Sequence, residues 1–399
     1  MSLVHDAPPG SSRSEAAARL LAAGCPLRVM KFGGTSVGDL ERITKVAARV
    51  EQSLGGGVKA VVVVSAMGRT TDRLLTWARE IAQRPSRREL DVLAATGEQQ
   101  TIALLSLALA ERGVKARSFT GPQAGFLTDS LFGGARILAV DTTRVERALA
   151  EYDVVVVAGF QGADADGNIT TLGRGGSDTT AVALAAALGA PECEIFTDTD
   201  GVYTTDPHVI PSASKLDVID YDEMLELASQ GAKVLHPTSV WYARRYGVRI
   251  HVRSSFTHTQ GTIVTSLADA TEGSMLSHRP VTGVALDLNH ARIDLHTVPD
   301  RPGVAAEIFN ALGAAGVSVD MIIQGVRGAG DSRQQMAFIV NRDLVQDALE
   351  ALRPALDAMG ASAEVGDGVA KLSLVGIAIG STPGIAGTMF EAVSAAGAN

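Results

Sequence analysis

The sequence predicts an α/β protein in which the strands of a sheet alternate with helices. The apolar runs Ala60–Val64 and Val154–Phe160 have the length of buried strands. The apolar segment Leu27–Met30 is followed by a glycine-rich turn and then by Asp39–Leu54, whose apolar residues have the spacing of an amphipathic helix. In the C-terminal third, a strand, a Pro-Gly turn and a short helix occur twice, which predicts a separate small module.

The turn between the first strand and the first helix reads Lys-Phe-Gly-Gly-Thr-Ser-Val-Gly at 31–38. Gly33 and Gly34 have no side chain to block close approach, so their backbone N–H groups can point at an anion. Lys31 adds a full positive charge, and we expect its side chain to lie outside the core. The segment predicts a phosphate-binding turn, although glycines also occur at strand-to-helix turns that bind nothing.

The same turn contains Gly34-Thr35-Ser36-Val37-Gly38, which matches the nucleophile elbow of serine hydrolases. Such an elbow would lie on the first strand, with no earlier strand to supply an oxyanion loop. The chain also has no His-Gly-Gly run, no Walker A spacing and no Gly-x-Gly-x-x-Gly motif. A hydrolase that uses Ser36 is therefore an open but weaker hypothesis.

A second cluster, at 170–180, reads Thr-Thr-Leu-Gly-Arg-Gly-Gly-Ser-Asp-Thr-Thr and leads into the predicted helix Ala181–Leu188. Ser177 or Asp178 would cap the start of that helix. Arg174 lies between glycines at the same helix N-terminus, where a guanidinium fork can bind a carboxylate or a phosphate.

A third cluster, Thr197–Pro207, follows the predicted strand Glu192–Phe196 and contains aspartates, hydroxyl groups and Tyr203. Ligands of open α/β sheets bind beyond the carboxyl ends of strands, so this loop suits a nucleotide base, a ribose or Mg²⁺. A solvated acidic turn would show the same pattern. A fourth cluster, Gly231–Pro237, contains Lys233 after a glycine.

Six segments, in this order and at these intervals, closely resemble the aspartate kinases of the amino-acid kinase family: KFGGTSVGD, SAMGRTTD, TGE, TTLGRGGSDTTAVALAAALGA, FTDTDGVYTTDP and GAKVLHP. The resemblance runs from about Leu27 to Ser254 and continues in the C-terminal third. It implies a three-layer α/β/α fold around an eight-stranded, mainly parallel sheet. It also implies ATP and Mg²⁺ as co-substrates and transfer of the γ-phosphoryl group to the β-carboxylate of L-aspartate, the first step of lysine, threonine and methionine biosynthesis.

The resemblance also implies roles for individual residues, none of them a metal ligand. Lys31 and Asp178 are expected to be catalytic. Aspartate is expected at Thr71, Glu98, Arg174, Gly175, Gly176 and Ser177. ATP is expected at Lys31, Gly33, Gly34, Ser65, Thr197, Asp198, Tyr203, Asp206, His208 and Lys233. The family usually has arginine where this chain has His208, and a histidine is mostly neutral at pH 7, so this nucleotide contact is open.

The implied chemistry agrees with these residue types. The attacking carboxylate of aspartate, with a reference pKa of about 3.9, is ionised at neutral pH, so no general base is required. The enzyme must align two anions and neutralise charge on the transferring group, which Lys31, Lys233 and the glycine N–H groups can do. Glu98 and Arg174 can bind the ammonium and a carboxylate of aspartate.

Composition excludes other classes of partner and compartment. The 399 residues carry a net charge of −9, with a pI near 5.4, which argues against nucleic acid or an anionic membrane as partner. The two cysteines, Cys25 and Cys193, are too few for a disulfide framework, which favours a reducing cytoplasm. The apolar runs are far shorter than a membrane span.

The predicted organisation has five parts. Residues 1–26 are expected to be a disordered extension, 27–265 the catalytic domain, 266–280 a linker, 281–366 a first ACT domain and 367–399 part of a second. Pro302-Gly303-Val304-Ala305 recurs as Pro383-Gly384-Ile385-Ala386, and each copy follows a strand, Ala291–Leu295 or Ala370–Leu374. This pattern resembles the ferredoxin-like βαββαβ unit of ACT domains. The first copy continues with predicted strands at Val317–Gln324 and Met336–Asn341 and a helix at Leu344–Leu356.

The second copy has nothing to match these later elements, and half a unit leaves strands unpaired. We therefore expect the sequence to be a fragment. By resemblance, a lysine or threonine effector is expected at Asp300, Ser318, Val319, Asp320 and Gln324. The ACT units are expected to form a homodimer or higher homo-oligomer, or to meet a separate ACT-only regulatory subunit.

Two alternatives to an aspartate kinase stay open besides the hydrolase. One is a kinase for another amino acid of this family, such as glutamate or acetylglutamate, from which Glu98, Arg174 and the ACT repeat would distinguish the chain. The other is an amino-acid sensor that retains the kinase fold only for binding. The presence of Lys31, Arg174 and Asp178 argues against a sensor.

Overall fold

The structure, a computed structural model, describes residues 26–232, 234–270, 280–325, 333–366, 368–377 and 379–398. Lys233, nearly all of the predicted N-terminal extension and most of the predicted linker lie outside the described residues. The chain divides into two compact units. The first comprises Met1–Gly283 with Val375–Asn399, and the second comprises Val284–Leu374.

The first unit alternates strands and helices, as the sequence predicts. Its strands are β1 (Leu27–Phe32), β2 (Lys59–Val64), β3 (Ala116–Phe119), β4 (Phe126–Thr128), β5 (Ile137–Val140), β6 (Val154–Ala158), β7 (Gln161–Ala163), β8 (Ile169–Thr171), β9 (Glu192–Thr197), β10 (Val202–Tyr203), β11 (Lys215–Leu216), β12 (Val218–Asp220), β13 (Arg249–Ser254) and β14 (Thr262–Thr265). Its helices before residue 283 are α1 (Leu40–Ser53), α2 (Thr70–Ile81), α3 (Arg87–Glu111), α4 (Thr143–Glu151), α5 (Gly176–Leu188), α6 (Tyr221–Ser229), α7 (Pro237–Tyr246) and α8 (Leu267–Ala270).

Eight of these strands form one sheet in the order β12-β14-β13-β9-β1-β2-β6-β3. Each neighbouring pair is parallel except β13 with β14, which confirms the predicted mainly parallel sheet. The residues of Ala60–Val64 and Val154–Ala158 are fully buried. Strands that are covered on both faces need such continuous apolar runs, which explains why the sequence marks them clearly.

A strand and a helix of the first unit have bounds that differ from those predicted, for identifiable reasons. The strand expected over Val154–Phe160 ends at Ala158, because Phe160 adopts a positive φ of 70° and its N–H donates to Thr180 Oγ1 at 3.1 Å. The helix expected to begin at Ala181 begins at Gly176. The prediction that Ser177 or Asp178 caps this helix is therefore wrong. Both lie inside its first turn, and the N-cap is Gly175 in the left-handed conformation.

Helix α1 confirms the amphipathic pattern. The carboxylate of Asp39 caps it by accepting from the backbone N–H of Arg42 at 2.8 Å. Its buried residues are Ile43, Val46, Ala47 and Val50. They belong to a core cluster that also contains residues of β1, β2, β6 and α3.

Helix α3 is long and apolar enough to cross a membrane by length and composition alone. It packs against α1 and α2, and its buried positions include the acidic residues Asp91 and Glu98. We therefore interpret it as a core helix.

The second unit contains the predicted βαββαβ order, with one further strand on each side. The six elements of that order are β16 (His290–Pro299), α9 (Val304–Ala314), β17 (Val319–Gln324), β18 (Arg333–Asn341), α10 (Val345–Met359) and β19 (Ser362–Gly366), and the flanking strands are β15 (Gly283–Asp287) and β20 (Lys371–Val375). The antiparallel sheet has the order β17-β18-β16-β19, and β15 pairs with β20. Ile293, Val304, Phe338 and Leu352 belong to its core, so strands and both helices bury one shared apolar surface.

The sequence repeat has a local structural counterpart. After β20, helix α11 (Ile385–Ala395) has the same length as α9. The glycines that precede the two helices, Gly303 and Gly384, have nearly the same left-handed conformation, with φ of 95° and 92° and ψ of −16° in both. The repeated Pro-Gly pair thus marks the same turn twice.

The contribution of the core can be tested on one helix. Leu105 is fully buried in α3, whereas Leu107 is 68% exposed on the same helix. We expect Leu105→Ala to lower the free energy of unfolding by about 3 kcal/mol, because it removes apolar contacts and leaves a cavity. Urea unfolding checks this. Leu107→Ala is the control, expected to stay within about 0.5 kcal/mol of the unsubstituted protein, and equal effects would contradict the placement of α3.

Candidate functional site

The glycine turn after β1 is held from two neighbouring strands. Gly33 N–H donates to the carbonyl of Phe196 on β9 at 3.2 Å, and Gly68 N–H donates to the carbonyl of Gly34 at 3.0 Å. A Cβ on Gly34 would lie 3.0 Å from the carbonyl oxygen of Ala66, so this position has no room for a side chain. The turn therefore packs directly against the turn that follows β2.

Lys31 brings a positive charge to this turn. Its Nζ lies 2.5 Å from Asp178 Oδ1 and 3.4 Å from the place that a Cβ on Gly33 would take. Each residue of the pair is only 8% exposed, so the expectation that the Lys31 side chain lies outside the core is wrong. Because Asp178 Oδ1 makes no aligned hydrogen bond within the described ranges, charge rather than a directed hydrogen bond holds this contact.

Asp178 and Ser177 are positioned by the turn that precedes α5. A Cβ on Gly159 would lie 2.7 Å from Ser177 Oγ, so the carboxyl end of β6 packs against this serine. A Cβ on Gly175 would lie 2.1 Å from the Cβ of His236. Arg174 is exposed and has no carboxylate within 4 Å among the described residues, so its guanidinium is available to a ligand.

His236 is a site residue that the sequence reasoning missed. It caps α7, where its Nδ1 accepts from the backbone N–H of Thr238 at 3.4 Å. Burial holds the pKa of His236 below its usual range, with Asp178 raising it and Arg174 lowering it. The signal was present in the His-Pro pair, because proline is favoured at the first position of a helix. A neutral imidazole therefore packs against the glycine turn.

Glu98 projects from α3 toward the turn after β2. Its Oε1 accepts from the backbone N–H of Ala66 at 3.0 Å, whereas its buried Oε2 has no hydrogen-bond partner among the residues described. Burial raises the pKa of Glu98 to about 7, and the Ala66 N–H opposes that rise. Thr71 Oγ1 lies 3.7 Å from the place that a Cβ on Gly97 would take, so this hydroxyl approaches the same part of α3.

Ser65 lies half-buried at the start of the turn after β2. Its N–H donates to the carbonyl of Phe32 at 3.2 Å, which places it beside the end of β1. Glu98 and Ser65 thus lie at the turn after β2, which packs against the glycine turn, and Thr71 lies beside Gly97, one residue before Glu98.

The third sequence cluster lies at the carboxyl end of β9. Phe32 pairs with Phe196, so Thr197, the last residue of β9, lies beside Gly33, the first residue after β1. Thr197 Oγ1 donates to Asp198 Oδ1 at 3.1 Å, and Tyr203 OH donates to Asp200 Oδ1 at 2.6 Å, which raises the pKa of Tyr203. The adjacent strands β1 and β9 therefore bring the glycine turn at 31–38, called the phosphate turn below, and this loop to one edge of the sheet.

Asp206 and His208 lie further along the same loop. The backbone N–H of His208 donates to Asp206 Oδ1 at 2.9 Å, and the His208 ring Nδ1 lies 3.1 Å from the same oxygen. Both side chains are largely exposed. Because Lys233 lies outside the described residues, its relation to this loop stays a prediction.

The environment of Ser36 does not support a hydrolase. Its hydroxyl is 2.5 Å from Ser255 Oγ, and no histidine hydrogen bond to it occurs in the described part of the chain. The residue is 2% exposed. A nucleophile needs a base within hydrogen-bond reach, so this hydroxyl has a structural partner instead.

The residues predicted to bind an effector lie in the second unit. Ser318, Asp320 and Gln324 are exposed, whereas Val319 and Asp300 are half-buried. Asp320 forms an ion pair with Lys371 and lies 3.8 Å from His290 Nε2. An effector ammonium would compete with Lys371 for the Asp320 carboxylate, which sequence spacing could not show.

Family comparisons agree with this division of the chain. The profile described as "Amino acid kinase family" matches residues 26–254, and the "ACT domain" profile matches residues 293–357. These ranges cover all strands of the large sheet except β14, and most of the βαββαβ unit.

Relatives of similar length are named aspartokinase or aspartate kinase. An aspartokinase from Thermus thermophilus is 56% identical over 373 residues, covering 94% of this chain and 91% of its own length. The structure of E. coli aspartokinase III in complex with aspartate and ADP matches with a TM-score of 0.74 and 28% identity, covering 92% of this chain and 91% of that one. The same enzyme in complex with lysine and aspartate matches with a TM-score of 0.66 and 29% identity, covering 88% and 87%.

The raised pKa of Glu98 predicts a pH-dependent stability. Folding favours its neutral form, so its contribution is fully present below the unfolded pKa of 4.5 and is lost as pH rises through about 7. At about 1.4 kcal/mol per pKa unit, the free energy of unfolding should fall by on the order of 3 kcal/mol across this window. Urea unfolding at several pH values between 4.5 and 8 measures this fall in the free energy of unfolding.

Two variants make that measurement specific. Glu98→Gln should remove this decline, since its side chain does not titrate. Glu89→Gln, at an exposed site in the first turn of the same helix, should keep it. A Glu98→Gln protein with the unchanged pH dependence would contradict the burial of an uncompensated carboxyl group.

Proposed function

The chain belongs to the aspartokinases of the amino acid kinase family, and on this premise we propose how its residues carry out the reaction. The reaction transfers the γ-phosphoryl group of ATP to the β-carboxylate of L-aspartate, giving 4-phospho-L-aspartate and ADP. The observation that carries the proposal is the buried contact between Lys31 and Asp178 beside Gly33 and Gly34. A cation beside a glycine turn that a phosphate can approach closely is the electrostatic requirement of phosphoryl transfer. The expectation that the Gly33 N–H points at an anion is wrong, because this N–H is bonded to the Phe196 carbonyl.

We assign the ATP phosphates to the turn after β1. Gly33 and Gly34 permit close approach, and the Lys31 ammonium lies against Gly33. A cation fixed at this turn can stabilise the charge of the transferring group. Ser65 lies where it can add a further donor to the phosphates.

We assign the nucleoside portion to the loop after β9. Thr197, Asp198, Tyr203 and Asp206 offer hydroxyl and carboxylate groups at the sheet edge next to the phosphate turn. Lys233 completes this set by resemblance. His208 bonds to Asp206, so we propose that it orders the loop instead of supplying a permanent positive charge.

Aspartate needs one anion for its ammonium and cations for its carboxylates. Glu98 has a buried oxygen without a partner among the described residues, which suits the ammonium. Arg174, exposed in the turn before α5, suits a carboxylate as a bidentate fork. Thr71 and Ser177, with the backbone of Gly175 and Gly176, would complete the substrate pocket.

The attacking carboxylate is already ionised, so the residues act by binding and orientation. Lys31 and Arg174 neutralise the two anions that must approach one another. Asp178 fixes the position of the Lys31 ammonium, and His236 stays neutral and packs the turn. None of these groups has to accept a proton from aspartate.

Mg²⁺ would enter with the nucleotide. It prefers one or two carboxylate oxygens together with substrate phosphates, and the buried Asp178 carboxylate beside the phosphate turn fits that donor set. When bound, the ion would neutralise charge on the phosphates.

We propose lysine or threonine as the effector of the second unit, at the surface of Asp300, Ser318, Val319, Asp320 and Gln324. E. coli aspartokinase III has been solved with lysine, which supports an amino-acid effector. We also propose assembly as a homo-oligomer through this unit and activity in the cytoplasm. A separate ACT-only subunit is a second possible partner for the same surface.

The first test removes the cation at the phosphate turn. We expect Lys31→Met to lower kcat for aspartate-dependent ADP release by about 10²–10³-fold, the typical cost of losing a preorganised donor. It also strands the buried Asp178 charge, so the variant should lose stability. Lys31→Met/Asp178→Asn removes both charges and should recover stability while staying inactive.

The control for this test is Lys45→Met, at a surface lysine paired with Glu41 on α1. It should keep kcat within about twofold, because exposed ion pairs contribute little. The same assay with glutamate and acetylglutamate distinguishes the other acidic substrates. Near-normal kcat in a folded Lys31→Met protein would remove Lys31 from the mechanism.

The second test separates the two substrates. Arg174→Lys keeps the charge and loses the fork, so KM for aspartate should rise by roughly 10–100-fold, while KM for ATP stays within about twofold. Arg136→Lys, at an exposed arginine bonded to Asp129, is the control and should change neither. Equal rises for both substrates would assign Arg174 to the turn structure.

A further inference from the structure

A second loop packs against the phosphate turn. It follows β13 and comprises Ser254–His258, which we call the β13 loop. Ser255 N–H donates to the carbonyl of Thr197 at 2.8 Å, and Ser255 Oγ lies 2.5 Å from Ser36 Oγ in the phosphate turn. Ser36 N–H in turn donates to the carbonyl of Gly33 at 2.9 Å. The β13 loop is thus bonded to the segments that we assign to both the phosphates and the nucleoside.

One side chain of α1, Arg49, binds two carbonyl groups of the β13 loop. Arg49 Nη1 donates to the carbonyl of Ser254 at 2.5 Å, and its Nη2 donates to the carbonyl of Thr257 at 2.5 Å. Nη2 also lies 3.3 Å from His258 Nδ1. One guanidinium therefore spans both sides of Ser255 and fixes the loop around it.

The Arg49 guanidinium also packs on an aromatic ring near the end of β9. It lies 5.1 Å from the ring centroid of Phe196, and that ring stacks on Phe32 with a centroid distance of 4.6 Å. Phe32 and Phe196 immediately precede Gly33 and Thr197. Arg49 thus contacts both the Phe196 ring, which immediately precedes Thr197, and two carbonyl groups of the β13 loop.

The partners of Arg49 indicate what it does. In the described residues it has no carboxylate within 4 Å, and its nearby buried glutamate, Glu194, is paired with Arg28 and Arg253. A guanidinium that is bonded to backbone carbonyls specifies the course of a loop, since two carbonyls at fixed spacing match its rigid fork. A lysine ammonium at this position could not bind both carbonyls in the same way.

We propose that Arg49 is a positioning residue for ATP, acting through the β13 loop and the Ser255–Ser36 hydrogen bond on the phosphate turn. The proposal rests on the assignment of ATP to that turn. It also gives Ser36 a role, because its buried hydroxyl becomes the point at which the loop and the turn are joined.

The position of Arg49 predicts a selective defect. Freeing the β13 loop would loosen Ser36 and the turn at Gly33, which bind ATP, but it touches neither Glu98 nor Arg174. Arg49→Lys should therefore weaken ATP binding about tenfold, the scale of one lost charged hydrogen bond, with KM for aspartate within about twofold. Ser255→Ala should shift ATP binding in the same direction through loss of the Ser36 contact.

The experiment measures ATP binding by calorimetry without aspartate, then kcat and both KM values, on Arg49→Lys, Ser255→Ala and the double variant. Arg49 and Ser255 act on the phosphate turn through the same loop and the same hydrogen bond to Ser36. The double variant should therefore lose less ATP affinity than the product of the two single losses. Arg28→Lys is the control. Arg28 lies on β1, its guanidinium is bonded to Glu194, and it makes no hydrogen bond to the β13 loop among the described residues. It should leave ATP affinity unchanged.

Three results would overturn the proposal: unchanged ATP affinity in folded Arg49→Lys, equal rises in both KM values, or an Arg28→Lys loss as large as that of Arg49→Lys. Thermal unfolding of every variant identifies any loss of ATP affinity that results only from a less stable fold. If the unsubstituted protein binds ATP but releases no ADP with aspartate, the proposed function fails. The calorimetric comparison still decides the role of Arg49 in that case.

Discussion

The contact between Lys31 and Asp178 is the constraint on which the site depends. It joins the end of β1 to the first turn of α5 across two buried charges, and neither charge is tolerable in the interior without the other. The left-handed Gly175, the close packing of Ser177 on Gly159 and the neutral His236 all place Asp178 where it meets the lysine. The glycine turns are therefore required by this charge pair as well as by a ligand.

The strand order gives that pair its surroundings. Because β9, β1, β2 and β6 are parallel neighbours, their carboxyl ends lie at one edge of the sheet and bring together the turns that follow these four strands. The backbone bonds between Gly33 and Phe196, and between Gly68 and Gly34, lock adjacent turns to one another. A ligand at this edge meets a surface whose parts cannot move independently.

The sequence predicted the features that depend on local pattern, such as the buried strands, α1 and the repeated Pro-Gly turn. It failed where a distant partner decides the outcome. The burial of Lys31 depends on Asp178, the end of β6 depends on the hydrogen bond from Phe160 to Thr180, and the Asp320 ion pair depends on Lys371. His236 was missed because its partner, Gly175, is 61 residues away in the sequence.

Glu98 links this architecture to substrate binding. A carboxyl group whose pKa is raised to about 7 by burial is only partly ionised near neutral pH in the ligand-free protein. On the proposed assignment, the aspartate ammonium would favour the ionised form and lower that pKa, because an opposite charge stabilises a carboxylate. Binding would then release a proton below about pH 7, and aspartate affinity would weaken as the pH falls. The buried Oε2 of Glu98, which has no hydrogen-bond partner among the described residues, thus makes ionisation of Glu98 costly, and the substrate would supply the compensating charge.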